Sequence, residues 1–143
     1  MAAKGRNGAR RILLQALYQI QMAGHDVARL KAQFAERPEY AAADSAYFEQ
    51  LLDQVIESRT ELDKEIEQFG NIPADQLDPI EHAVLWIALA EFRFHPEIPP
   101  KVVMNEAIEL AKIYGAEGGY RYVNGLLDKV ATVKSQSSSA AKG

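Results

Sequence analysis

A chain of 143 residues is long enough for one domain that buries roughly two thirds of its unfolded surface, so nothing requires a disulfide or a metal to hold it together. It has no cysteine, which excludes disulfide frameworks, Cys-ligated zinc, iron–sulfur clusters and thiol nucleophiles and fits a reducing, cytoplasmic setting. The net charge of −4 is unevenly spread: Lys4, Arg6, Arg10 and Arg11 all precede the first carboxylate, Asp26, so a basic arm leads an acidic body.

The opening residues lack the apolar stretch of a signal peptide, and the longest apolar-rich run, Ala83 to Ala90, falls far short of the ~20 residues of a membrane span. Helical periodicity dominates the whole chain, with no sustained alternation of period two. Ala9, Leu13, Ala16, Leu17 and Ile20 share one face of a first helix that Gly24 ends. A short second helix after Asp26 turns Val27, Leu30 and Phe34 inward and stops before Pro38. A third begins near Asp44 with Phe48, Leu51, Leu52, Val55 and Ile56. Ser58-Arg59-Thr60-Glu61 has the pattern of a capping box and predicts a fourth, carrying Leu62, Ile66 and Phe69.

Gly70 to Leu77, with Pro73, reads as the connector between two halves. Asp78-Pro79 is an N-cap with proline in the first turn, opening a fifth helix to about Phe94 whose Ile80, Val84, Leu85, Trp86, Ile87, Ala88, Leu89 and Phe92 make it the most buried. His95-Pro96 closes it, and Pro99-Pro100 begins a sixth that ends at Tyr114-Gly115. After Gly118-Gly119 a seventh carries Tyr122, Val123, Leu126, Leu127 and Val130. The expectation is all-α: seven helices in two packed helical bundles, about 9–69 and 78–131, folded to about residue 133. The Ser/Ala/Lys/Gly tail of 134–143 has nothing to bury and is expected to stay unfolded, with no catalytic domain after it.

On a helical wheel Arg11, Gln15, Tyr18 and Met22 form one strip of the first helix, with Arg10 on its flank and the core leucines opposite. Arginines beside an exposed tyrosine suit single-stranded RNA, pairing with phosphates while the ring stacks on a base. Four charges also suit a solvated basic end that aids solubility, and the residues alone leave both readings open. His25, His82 and His95 are too scattered for a metal site and read as structural or surface groups. Glu65/Glu67 and Glu106/Glu109 show no acid–base geometry, and Glu109 with Lys112 reads as a surface i,i+3 pair. Gly115 to Gly119 lacks the lysine and preceding strand of a phosphate loop and reads as a helix stop and restart, although Arg121 in the new first turn, beside Tyr120 and Tyr122, suits a secondary RNA contact. Gly125 suggests close helix approach, and Asn105 and Asn124 suggest side-chain bonds to neighbouring backbone. No catalytic constellation and no cofactor motif stands out.

Pro100 to Lys112, Tyr114-Gly115 and Tyr122 to Lys129 resemble the C-terminal signature of the NusB family of bacterial transcription antitermination factors. Arg10-Arg11 with Gln15 to Tyr18 resembles the family's first helix, and Ile80-Glu81 with Ala83 to Leu85 and Ile87 to Leu89 its central one. The resemblance covers about residues 9–133. It implies two perpendicular helical bundles, a non-enzymatic role, and binding to single-stranded boxA RNA of ribosomal RNA operons together with the ribosomal protein NusE and the transcription elongation complex. The RNA-binding positions it implies, with those read from the arm, are Lys4, Arg6, Arg10, Arg11, Gln15, Tyr18, Phe69, Glu81, Arg121 and Tyr122. Two departures stand out: Asn7-Gly8 interrupts the arginine run, and Gly118-Gly119 offers only backbone where relatives carry polar side chains. The alternatives are a NusB-like module for protein docking or homodimerisation and an accessory domain of RNA modification, such as those fused to RNA cytosine methyltransferases.

Overall fold

The computed structural model describes residues 4–24 and 26–142, with side chains described to residue 136; His25 lies outside the described residues. Among these residues seven helices follow one another: α1 Gly5–Ala23, α2 Val27–Ala35, α3 Pro38–Ala42, α4 Ser45–Phe69, α5 Pro79–Phe94, α6 Pro100–Tyr114 and α7 Gly119–Lys142, with a 3-10 turn at Ala74–Gln76. The architecture is all-helical, as expected.

α5 organises the rest. Every residue from His82 to Phe92 is buried, and a helix that is apolar nearly all round is stable only when enclosed. α1 and α4 pack against it from the first half, α6 and α7 from the second. Each fully buried leucine or isoleucine there stabilises the fold by roughly 1.5–3 kcal/mol relative to leaving it in water. The Asp78 carboxylate caps its start, accepting from the Ile80 amide at 3.4 Å, with Pro79 in the first turn. α1 runs antiparallel to α5: Arg10 meets Glu91 near the far end of α5, while Gln21 Nε2 donates to the Pro79 carbonyl at its start (2.9 Å). α2 and α3 close over α4, where Phe34 and Tyr40 both pack on Phe48 with ring centroids about 6 Å apart.

Several expectations need correction. Ser58 does not begin a helix: α4 is a single 25-residue element, because Leu52, Val55, Leu62 and Ile66 are buried on one face of it either side of Ser58 and no proline or glycine breaks it. The seventh helix is instead the short α3, which Pro38 opens at its first position. α1 begins at Gly5, and the Asp44 amide donates to the Gly5 carbonyl at 2.9 Å, so the basic segment is tied to the α3–α4 junction. α7 continues past Lys134 to Lys142. Gly125 is exposed, and a Cβ built on it meets nothing within 4 Å, so it serves no close helix approach. Asn105 and Asn124 are exposed rather than bonded within the fold.

Candidate nucleic-acid interface

Arg10 is the largest departure from expectation. Its side chain is 5% exposed. Nε donates to both Glu91 oxygens (3.2 and 3.0 Å), Nη2 lies 2.9 Å from Oε2, Nη1 donates to Asn7 Oδ1 at 3.2 Å, and Glu106 Oε2 stands at 3.9 Å. Glu91 also accepts from the Tyr47 hydroxyl. Burial alone would lower the Arg10 pKa, but the Glu91 hydrogen bond and charge outweigh it and raise it. Burial, then the Glu91 charge and hydrogen bond, push the Tyr47 phenol well above its ordinary range. Arg10 is therefore removed from the RNA-binding set: the protein's own carboxylates engage its guanidinium inside the fold. It is better read as the pin between α1 and α5.

The other arm residues face outward. Lys4 is exposed, and Arg6, also exposed, lays its guanidinium 4.3 Å from the centroid of the Tyr47 ring. Arg11 is half-buried and 3.6 Å from Glu109, an exposed pair that a phosphate can displace. Glu109 thus reaches α1 rather than Lys112, whose ammonium sits 4.6 Å from the Tyr120 ring centroid. Gln15 accepts from Arg37 Nη1 at 2.6 Å, and Arg37 lies over Phe34 at 4.0 Å. Arg37 was missed from sequence, because nothing in the spacing of Gln15 and Arg37 shows that α2 and α3 fold back onto α1. Tyr18, 39% exposed, lines a mostly apolar cleft of about 210 Å³ with Leu14, Gln19, Ile80 and Tyr114.

At the other end of α5 the structure gathers three further positions. Phe69, Arg121 and Tyr122 line a cleft of about 120 Å³ together with Asn71 and Lys129, two residues that sequence reasoning missed. Glu81 stands beside them, its carboxylate so close to Gly119 that a Cβ there would lie 2.7 Å from Oε1. Burial, then the charge and hydrogen bond of Asp78, raise the Glu81 pKa. Arg121 is exposed and its Nε donates to Tyr120 Oη at 3.4 Å. Glu81 and Glu91 are ten residues apart on α5, about 15 Å. The expected site residues therefore lie in three places: the arm, the Arg11–Gln15–Tyr18 strip along α1, and the aromatic cleft at the other end of α5.

A larger recess of about 550 Å³ lies between α1, α4 and α5 and includes none of the expected site residues; in it Asp63 Oδ1 bonds both Trp86 Nε1 (2.8 Å) and His82 Nε2 (2.7 Å). Among the described residues no group of His, Asp and Glu gathers to hold a metal ion, and no helix is long and apolar enough to cross a membrane.

Residues 7–132 match the NusB family. The chain belongs to that family. It is 42% identical over 130 residues to the transcription antitermination protein NusB of Shewanella pealeana (strain ATCC 700345 / ANG-SQ1), covering 91% of this chain and 96% of that one. It is 48% identical over 126 residues to the protein of the same name from Nitrosococcus oceani (strain ATCC 19707 / BCRC 17464 / JCM 30415 / NCIMB 11848 / C-107), covering 88% and 84%. Among solved structures, one of antitermination factors NusB and NusE in complex with double-stranded RNA superposes with a TM-score of 0.77 at 25% identity, covering 90% of this chain and 96% of that one. NusB of T. maritima superposes at 0.76 with 27% identity, covering 91% and 93%. These NusB relatives are named as transcription antitermination proteins.

Proposed function

We propose that this NusB-family protein acts in transcription antitermination by binding boxA-type RNA of ribosomal RNA operons, as a non-catalytic, cytoplasmic partner of the ribosomal protein NusE within the elongation complex. The observation that carries the reading is the likeness, over nine tenths of the chain, to a NusB solved with NusE and RNA. The exposed cations of the arm and the aromatic cleft at the far end of α5 support it. Lys4, Arg6 and Arg11 neutralise phosphates, Tyr18 and Tyr122 stack on unpaired bases, and Glu81 accepts a hydrogen bond from a base edge or, when protonated, donates one.

The test is a titration of boxA and scrambled RNA, each single-stranded and duplexed, with and without NusE. Single-stranded boxA is expected to bind in preference to the scrambled strand, and more tightly when NusE is present. About three phosphates neutralised by the arm contribute about −2 to the slope of log K against log salt. Equal affinity for boxA and scrambled strands would leave only an unspecific polyanion contact. A preference for the duplex would overturn the stacking roles of Tyr18 and Tyr122. NusE capture without any RNA binding would favour a protein-docking module.

A further inference from the structure

We infer that the face of α7 marked by Arg121, Gly125 and Lys129 is a seat for the RNA sugar–phosphate backbone, and that Gly125 is there to leave room for it. The inference rests on the RNA-binding reading above, in which Arg121 already figures, and adds to it Lys129 as a contact and a reason for the glycine.

Positions 121, 125 and 129 succeed one another at intervals of four, so they form one row along α7, about 12 Å from end to end. The row is a cation, a gap and a cation. It is flanked by Phe69, Asn71 and Tyr122, and among the described residues none that line this cleft is acidic. The body is otherwise strongly acidic after the arm, with Glu81 beside the cleft and Asp128 exposed next to Lys129 on α7, so it is the two cations of the lining that give it the charge a phosphate chain needs.

Gly125 itself has no structural explanation. Glycine is the poorest helix residue after proline, yet this one lies inside a helix, is exposed, has no positive φ and would bring no contact within 4 Å if it carried a Cβ. Gly70, on the opposite wall, shows the contrast: there a Cβ would lie 2.2 Å from Tyr122 Oη, so packing alone demands glycine. What a side chain at 125 would occupy is the cleft. A backbone can approach an α-helix closely only where no side chain stands. With the two cations either side of that opening, a strand laid along α7 presents successive phosphates to Lys129 and Arg121 and leaves its bases free for Phe69 and Tyr122.

The test sets stability against binding. Gly125→Ala and Gly125→Gln are both expected to melt higher than the parent, by about 3–5 °C, because each improves the helix without a clash. Gly125→Gln is nevertheless expected to weaken boxA RNA by about tenfold, a 1.4 kcal/mol loss, with Gly125→Ala losing less. Lys129→Gln lowers affinity and makes the salt slope shallower by about 0.7, and Gly125→Gln flattens it as well, because a strand held off the helix no longer brings its phosphates to Arg121 and Lys129. Undiminished RNA binding by Gly125→Gln, beside a parent that binds, would overturn the seat while leaving the arm and the RNA-binding reading intact. A variant that keeps RNA but loses NusE would assign this face to the protein partner and overturn the seat as well. No RNA binding by the parent would overturn both.

Discussion

Arg10 and Arg11 are neighbours in sequence, yet only Arg11 reaches solvent, and they should fail in different ways when removed. Arg10→Ala leaves Glu91 buried and uncompensated, so it is expected to cost about 3–5 kcal/mol of stability. Arg11→Ala removes an exposed pair worth under about 1 kcal/mol and should instead weaken RNA binding and flatten its salt slope. Chemical denaturation of both variants, beside RNA titrations at two salt concentrations, separates the two outcomes; an Arg10→Ala protein as stable as the parent would contradict the buried pair. Replacing Arg10, Glu91 and Tyr47 together by Met, Leu and Phe should recover most of the loss, since no group is then left unpaired. Sequence could not separate these arginines, because the partner that captures Arg10 is 81 residues away. Glu81 gives a second contrast. Its raised pKa means that the folded protein binds this proton more tightly than the unfolded chain does, so the stability it contributes is present below the ordinary value of 4.5 and is lost as pH rises through the raised one. Glu81→Gln should therefore raise Tm at neutral pH, and the gain should shrink as pH falls toward 4.5. Melts of both proteins across that range check the sign; a gain independent of pH would mean that the carboxylate is not strained.

Among the elements, the readings that succeeded rest on local chemistry. Asp78-Pro79, Pro99-Pro100 and Gly118-Gly119 each mark a helix start through backbone preferences that hold whatever surrounds them. The reading that failed did so for the complementary reason: Ser58 and Glu61 have capping side chains, but a cap needs an interrupted helix, and the buried stripe of α4 overrides it. The α4–α7 contact shows what no periodicity contains. Gly70 closes α4 directly beneath the Tyr122 hydroxyl, and an added Cβ would also lie 2.9 Å from the Ile66 carbonyl and 3.1 Å from Leu126 Cδ1. Gly70→Ala is expected to cost about 1–3 kcal/mol through overpacking. The Tyr122 hydroxyl is buried without a partner in hydrogen-bonding geometry, the Ile72 amide lying near but not meeting it. Tyr122→Phe should therefore be nearly neutral alone and should restore part of the loss in combination with Gly70→Ala. Denaturation of the four proteins of this cycle measures the coupling; strictly additive losses would show that the two residues do not meet.

For the molecule as a whole, the connector at Gly70 to Leu77 suggested two halves, one before it and one after. The apolar core does not divide in the same way. One continuous cluster runs from Ala9 through Phe48 and Leu85 to Val130, because α5 belongs to the second half by sequence and is buried against both by packing. Neither half retains a closed core without it: α1 and α4 would expose the leucines that now face α5, and α6 and α7 likewise. Unfolding should accordingly be one cooperative transition, with the same midpoint whether followed at Trp86, on α5, or by helix content. Leu85→Ala, at a fully buried position on α5, should cost about 2–5 kcal/mol and shift both signals equally. Two separable transitions, or a Leu85→Ala variant that melts one signal before the other, would mean that the halves hold themselves together. The same coupling bears on binding. The arm is pinned to one end of α5 by Arg10 and the aromatic cleft is built at the other, so a rigid α5 keeps their separation fixed, and an RNA that engages both must match a preset span. Weakening α5 at Leu85 should then reduce RNA affinity even though Leu85 touches no surface, whereas a core substitution far from this helix and of equal cost should not.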